Sequence, residues 1–161
     1  MYQPIAATLG FILSKDKSSV LMVHRTFRDT DENLGKYNGL GGKLEPNENV
    51  ADGMIREIKE ESGLIVTSMQ LRGTVSWPNF GPSQRPWLGF IFLIDGWEGE
   101  PFSENEEGTL SWVKISDIPT LPMWEGDAFF IPLVFDGDPR QFHGYMPYDG
   151  EHPSGWTITR M

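Results

Sequence analysis

"GGKLEPNENVADGMIREIKEESGL", residues Gly41 to Leu64, decides how this chain is read. Asn49 is placed to cap a helix over Val50–Ser62, with Asp52 in its first turn and Gly63 just past its end. Val50, Met54, Ile55 and Ile58 form the expected apolar stripe. On the same helix Glu57, Glu60 and Glu61 converge within about 100° of arc, because positions i, i+3 and i+4 share a face. Like charges this close repel, and either solvation or a cation relieves the repulsion. The face therefore has two readings: a solvated charged surface, or an oxygen-only donor set suited to Mg²⁺ or Mn²⁺ with water and phosphate oxygens completing the shell. Just ahead of the helix, Gly39, Gly41 and Gly42 let backbone approach a ligand closely, and Lys43 offers a point charge to a phosphate. Arg56 stands beside Glu57 and two turns beyond Glu48. It can tie the loop to the helix through an ion pair or act as an ordinary surface bridge.

Outward from that stretch the chain reads as strands around one strong helix. Strands are predicted at Ile5–Leu13, Val20–Val23, Ile65–Trp77, Trp87–Ile94 and Leu110–Ile115. "YNGLGGKLEPNE" is expected to be a glycine-rich loop. "DAFFIPLVF" is expected to be a second helix from Asp127, broken or bent near Pro132, and "QFHGYMPYDG" with "GWTITRM" a closing hairpin. The class is α/β or α+β with a mixed sheet, expected as one domain over residues 1–161.

Composition narrows the function. The formal net charge of −10 opposes a grip on nucleic acid, which needs clustered Lys and Arg, while a small phosphorylated ligand accompanied by a cation fits it. No apolar run approaches the ~20 residues of a membrane helix. "MYQPIAATLGFIL" lacks a basic leader and a small-residue cleavage site, so it reads as a first strand. The absence of cysteine excludes disulfide and thiol chemistry and fits a cytoplasmic location. His24, His143 and His152 show no metal or dyad spacing.

Gly42, five residues, Glu48, seven residues, then Arg56-Glu57-Ile58-Lys59-Glu60-Glu61-Ser62-Gly63-Leu64 resembles the Nudix box, G-x5-E-x7-R-E-U-x-E-E-x-G-U, at every specified position. That resemblance implies an α/β/α sandwich around a mixed sheet. It also implies hydrolysis of a nucleoside diphosphate linked to another group, usually with Mg²⁺. Glu57, Glu60 and Glu61 would bind metal, Glu60 or Glu61 would orient or deprotonate the attacking water, and Gly42 would lend its carbonyl. Arg56 and Glu48 would hold loop and helix in register.

The box does not name the substrate. "YNGLGGK", "MWEGDAFFIPL" and "FHGY" are similar, in order and spacing, to the animal MutT homologues that remove oxidised purine nucleoside triphosphates. By that resemblance Asn38 would hydrogen-bond the purine, Trp124 would stack on it and Asp127 would read its Watson-Crick edge. Thr8 and Phe27 would line the base pocket, and Glu107 would be a further acid near the metals. The chain departs from that pattern at Gly126, where the animal proteins have a second aspartate, and at Phe130, where they have tryptophan. Its loop between Arg25 and Asn38 is also longer. ADP-ribose, a dinucleotide or an unmodified triphosphate are the rival substrates, and a nucleotide-binding module without turnover is the more distant rival. Trp77, Phe80 and Trp87 could line the same pocket, but aromatic residues in and between strands are more often core, so they are left out of the expected site.

Overall fold

The computed structural model describes all residues, Met1–Met161. Eleven strands occur, in order β1 (Ile5–Leu13), β2 (Ser19–Arg25), β3 (Tyr37–Asn38), β4 (Leu40–Lys43), β5 (Ile65–Phe80), β6 (Arg85–Glu98), β7 (Gly108–Lys114), β8 (Phe142–Tyr145), β9 (Tyr148–Asp149), β10 (His152–Pro153) and β11 (Thr157–Arg160). Helix α1 spans Val50–Ser62 and α2 spans Asp127–Phe135, with a 3₁₀ turn at Ile115–Thr120.

Nine strands form one mixed sheet, ordered β11-β8-β5-β6-β1-β2-β3, with β4 on β1 and β7 on β2. The β1–β6 and β5–β8 pairs are parallel, and the other pairs run antiparallel. Period-two alternation sends successive side chains to opposite faces. Phe11, Leu13, Val20, Met22 and Ile91 thus join Phe130, Ile131 and Val134 of α2, while Ile12, Leu21, Val23, Phe92 and Ile94 join Met54 and Ile58 of α1. The sheet is sandwiched between the two helices, as expected. Burial of each of these apolar side chains contributes roughly 1.5–3 kcal/mol of transfer energy.

Helix α1 runs over the residues expected of it. The Asn49 side chain accepts from the Asp52 N–H at 2.9 Å, and Gly63 takes the left-handed conformation (φ 79°) that closes the last turn. Helix α2 continues past Pro132 to Phe135, and β8 with β11 forms the closing antiparallel pair. Two readings are corrected. Ile55 is exposed, and the stripe that packs on the sheet is carried by Met54 and Ile58 with Val50 at its edge. "YNGLGGK" is not a loop but two short strands. Its glycines are required there because a Cβ on Gly41 would lie 1.9 Å from the Thr8 carbonyl oxygen across the β1–β4 pair. No helix is long and apolar enough to cross a membrane.

Candidate active site

Three of the four elements that build the site meet at one strand pair. In the β1–β4 register Thr8 faces Gly42, and the Thr8 hydroxyl donates to the Gly42 carbonyl at 3.4 Å. A Cβ on Gly42 would lie 2.5 Å from Glu57 Oε1, so the missing side chain lets the α1 carboxylate reach the strand. One residue earlier, the Gly41 N–H donates to Glu61 Oε2 at 3.0 Å. The fourth element, the turn before β7, brings Glu107 to the same place. Asn105 fixes that turn by donating to the Glu61 carbonyl at 3.1 Å and accepting from the N–H groups of Glu107 and Gly108.

The outcome is an acidic cavity of about 450 Å³, lined by Glu57, Glu60, Glu61, Glu104, Asn105, Glu106, Glu107 and one apolar residue, Phe102. Burial, followed by the charges of Glu107 and Glu57, pushes the Glu61 carboxyl up to about 9. Glu57 is also raised, first by burial and then by Glu60 and Glu107, against the pull of Arg56. Arg56 donates to both oxygens of Glu48 (2.8 and 2.7 Å), to Glu57 at 3.0 Å and to Glu60 at 3.2 Å. It holds the Glu45–Glu48 turn to α1 and depresses Glu48 to about 2. No three acidic side chains close around a common point. The donor set nevertheless fits a hard divalent cation. It is all oxygen, and its inner carboxyls are held with proton affinities that a nearby positive charge lowers.

Beside the glutamate face, across the Thr8–Gly42 pair, lies a smaller pocket of about 190 Å³. Its walls are Ala7, Thr8, Leu9, Asn33, Asn38, Trp77, Phe80, Trp87, Gly89, Trp124, Asp127 and Phe130. Four residues expected to touch a base, Thr8, Asn38, Trp124 and Asp127, are brought together here. Thr8 and Trp124 are almost fully buried. Burial pushes Asp127 up to about 7, against the Trp124 backbone and the Lys36 charge. Lys43 is exposed, with its amine 5.7 Å from the centroid of the Trp87 ring at the pocket wall.

Phe27 is the exception. It is 49% exposed on the loop after β2 and lines none of this pocket, because two hydrogen bonds from Thr26 and Phe27 to the Glu107 carbonyl turn the chain outward there. Trp77, Phe80 and Trp87, left out of the expected site, line the pocket, and Trp77 and Phe80 also pack against the core, a double role that strand periodicity alone does not reveal. Asn33, absent from the expectations, accepts from Trp124 Nε1 at 2.7 Å. A third cavity, about 480 Å³ and mostly apolar, shares Trp124 and Asp127 as a wall but touches neither the glycine strand nor the α1 glutamates.

Fold and site together define a class: a hydrolase built around a helical glutamate face and a glycine-lined strand. The NUDIX domain model matches residues 3–134, and the chain belongs to the Nudix family as a pyrophosphohydrolase. Members of that family generally use divalent metal ions. The chain is 35% identical over 113 residues to the uncharacterized Nudix hydrolase YvcI of Bacillus subtilis, covering 69% of this chain and 71% of that one. It is 30% identical over 144 residues to the oxidized purine nucleoside triphosphate hydrolase of Mus musculus, covering 89% and 86%. The crystal structure of the mutator MutT protein from Bacillus halodurans superposes with a TM-score of 0.79 at 26% identity, covering 96% and 97%.

Proposed function

We propose that this enzyme hydrolyses oxidised purine nucleoside triphosphates, 8-oxo-dGTP foremost, to the monophosphate and pyrophosphate, and so sanitises the nucleotide pool of the cytoplasm. One observation carries the reading: Thr8, Asn38, Trp124 and Asp127 line a single aromatic pocket, and Thr8 pairs directly with the glycine that admits Glu57. A base seated there directs its phosphates along β4 toward the acidic cavity.

In this reading Glu57, Glu60 and Glu61 would hold Mg²⁺ with the Gly42 carbonyl, and Glu107 would add a further acid. Bound there, the ion would supply charge screening for the phosphates and acidify a water. Glu60 or Glu61 would orient or deprotonate the attacking water, while Lys43 would meet a phosphate oxygen. Trp124 stacks on the purine, a contact worth roughly 1–3 kcal/mol. Asn38 and Asp127 hydrogen-bond its edge, and Phe80, Trp77 and Phe130 close the walls.

The pocket supports a narrow choice of base. A Cβ on Gly126 would lie 2.2 Å from Met146 Sδ and 2.5 Å from the Tyr148 hydroxyl, so a second acid beside Asp127 has no room. A lone carboxyl offers fewer donor–acceptor patterns than a pair sharing a proton. Guanine-type edges are therefore favoured over adenine-type ones, and 2-hydroxy-dATP is the weaker substrate. The test is product analysis: with Mg²⁺, 8-oxo-dGTP yields pyrophosphate and the monophosphate, and Glu61→Gln yields almost none. Release of orthophosphate, or activity undiminished in that variant, rejects the reading.

A further inference from the structure

The longer loop between β2 and β3 carries a chain of polar contacts that no catalytic role uses. At one end Arg25 Nη1 meets Glu107 Oε2, in the acidic cavity, at 3.2 Å. The same guanidinium donates through Nε to Asp31 Oδ2 at 2.6 Å. Asp31 Oδ1 accepts the Asn33 backbone N–H at 2.9 Å and its amide Nδ2 at 3.4 Å. Asn33 Oδ1 then accepts the Trp124 indole N–H at 2.7 Å. Every link in this series has a fixed polarity. A guanidinium and an indole only donate and a carboxylate only accepts, so Asn33 is the one member whose donor and acceptor ends must both be used in a set orientation.

The loop around these contacts is held firmly. Arg25 N–H donates to the Lys36 carbonyl, Gly35 N–H returns to the Arg25 carbonyl, and Thr26 and Phe27 donate to the Glu107 carbonyl. Lys36, brought in by the same closure, places its amine 4.5 Å from the Trp124 ring centroid. Asp31 is mostly enclosed, and although burial opposes it, the Arg25 hydrogen bond leaves its carboxyl below its ordinary range. A charge-assisted contact at one end and a half-buried amide at the other join the loop to Trp124 through directed hydrogen bonds.

We propose that Asn33 is a positioning residue for Trp124, and that Arg25 and Asp31 connect it to Glu107, so that a cation entering the acidic cavity is felt at the base-stacking wall. The inference rests on the reading above, in which the cavity takes Mg²⁺ and Trp124 meets the base. Glu107 now shares its charge with Arg25. A cation that draws Glu107 toward itself weakens that contact, and Arg25, Asp31 and Asn33 readjust together.

The test follows the Trp124 indole N–H by nuclear magnetic resonance in nitrogen-labelled protein, assigned by its loss in Trp124→Phe. MgCl₂ is titrated without nucleotide, and Mg²⁺ affinity is measured in parallel by calorimetry. In the wild type the Trp124 signal moves with the calorimetric midpoint. In Asn33→Asp, which keeps the acceptor for Trp124 but sets two carboxylates against each other, the signal stays still while Mg²⁺ affinity is kept within about threefold. Arg25→Lys, which preserves charge but loses the two-sided fork, gives the same silence and covers the case in which the first variant fails to fold. A signal that is still in the wild type despite Mg²⁺ binding, or moves equally in the variants, overturns the relay and leaves the proposed function standing. Absence of Mg²⁺ binding in the wild type overturns both.

Discussion

Arg56 grips Glu48 with two parallel hydrogen bonds, Nε to Oε2 at 2.8 Å and Nη2 to Oε1 at 2.7 Å, and its remaining nitrogen reaches Glu57 and Glu60. One guanidinium thus fixes the entry turn of α1 and aims two of its carboxylates. Lys at position 56 keeps the charge but not the fork. Arg56→Lys and Glu48→Gln are expected to lower kcat/KM by about 10- to 100-fold, the usual effect of losing an orienting partner of a ligand carboxylate. Their circular dichroism spectra stay close to wild type. Unchanged kinetics in both variants contradicts this role.

The two neighbouring glycines of β4 separate folding from function. An added Cβ at Gly41 meets the Thr8 backbone carbonyl at 1.9 Å, which cannot move without opening the β1–β4 pair. At Gly42 it meets the end of the Glu57 side chain, which can swing away. Gly41→Ala is therefore expected to lower Tm sharply or prevent soluble expression. Gly42→Ala should fold with a near-normal Tm while losing at least about tenfold in kcat/KM, because the displaced group is a proposed metal ligand. Thermal melts beside initial rates distinguish the two, and equal behaviour of the variants refutes the distinction.

Much of this arrangement is legible in the sequence, and the part that is not has a common cause. The capping Asn49, the stripe Met54–Ile58 and the stop at Gly63 are local signals, so α1 and its glutamate face can be read directly. The strand character of Leu40–Lys43 is hidden, because glycines that mark a loop by composition here answer a close approach between distant strands. Trp77, Phe80 and Trp87 sit in strands whose periodicity gives two faces but not which face a pocket occupies. The link from Arg25 to Asn33 to Trp124 joins residues 91 positions apart at its last step, and no spacing rule records such a contact. Phe27, placed by resemblance alone, falls on a loop that is turned outward by hydrogen bonds to the distant Glu107 carbonyl.

Glu61 should make the metal-free protein sensitive to alkali. Its carboxyl is raised in the folded state from 4.5 to about 9, first by burial and then by Glu107 and Glu57. Below pH 4.5 it is protonated folded or unfolded and costs nothing. As pH rises toward 9 the unfolded chain releases a proton that the folded protein retains or loses at a penalty, so stability falls across that window. In EDTA the Tm is expected to decline from pH 5 to 9, and Glu61→Gln to be flatter over that range and more stable at its upper end. Mg²⁺ should restore the wild type and do less for the variant. A wild-type Tm independent of both pH and Mg²⁺ contradicts the expectation.

Asp127 should impose a pH dependence on substrate affinity. Burial raises its carboxyl to about 7, and the guanine edge presents N–H donors that an ionised carboxylate accepts. KM for 8-oxo-dGTP is expected to fall as pH rises through about 7. Asp127→Asn should raise KM by about tenfold, keep kcat largely intact and abolish the pH dependence of KM. A KM profile that the substitution leaves unchanged removes Asp127 from base recognition.

Substrate choice is read most directly from kcat/KM for 8-oxo-dGTP against dGTP, dATP and ADP-ribose under identical Mg²⁺ conditions. The value for 8-oxo-dGTP is expected to exceed that for dGTP by about tenfold or more, an advantage of roughly 1.4 kcal/mol in transition-state stabilisation, with ADP-ribose weaker still. Equal rates on oxidised and normal triphosphates, or a preference for ADP-ribose, would contradict the assignment of the Trp124–Asp127 pocket and leave only the family's chemistry in place.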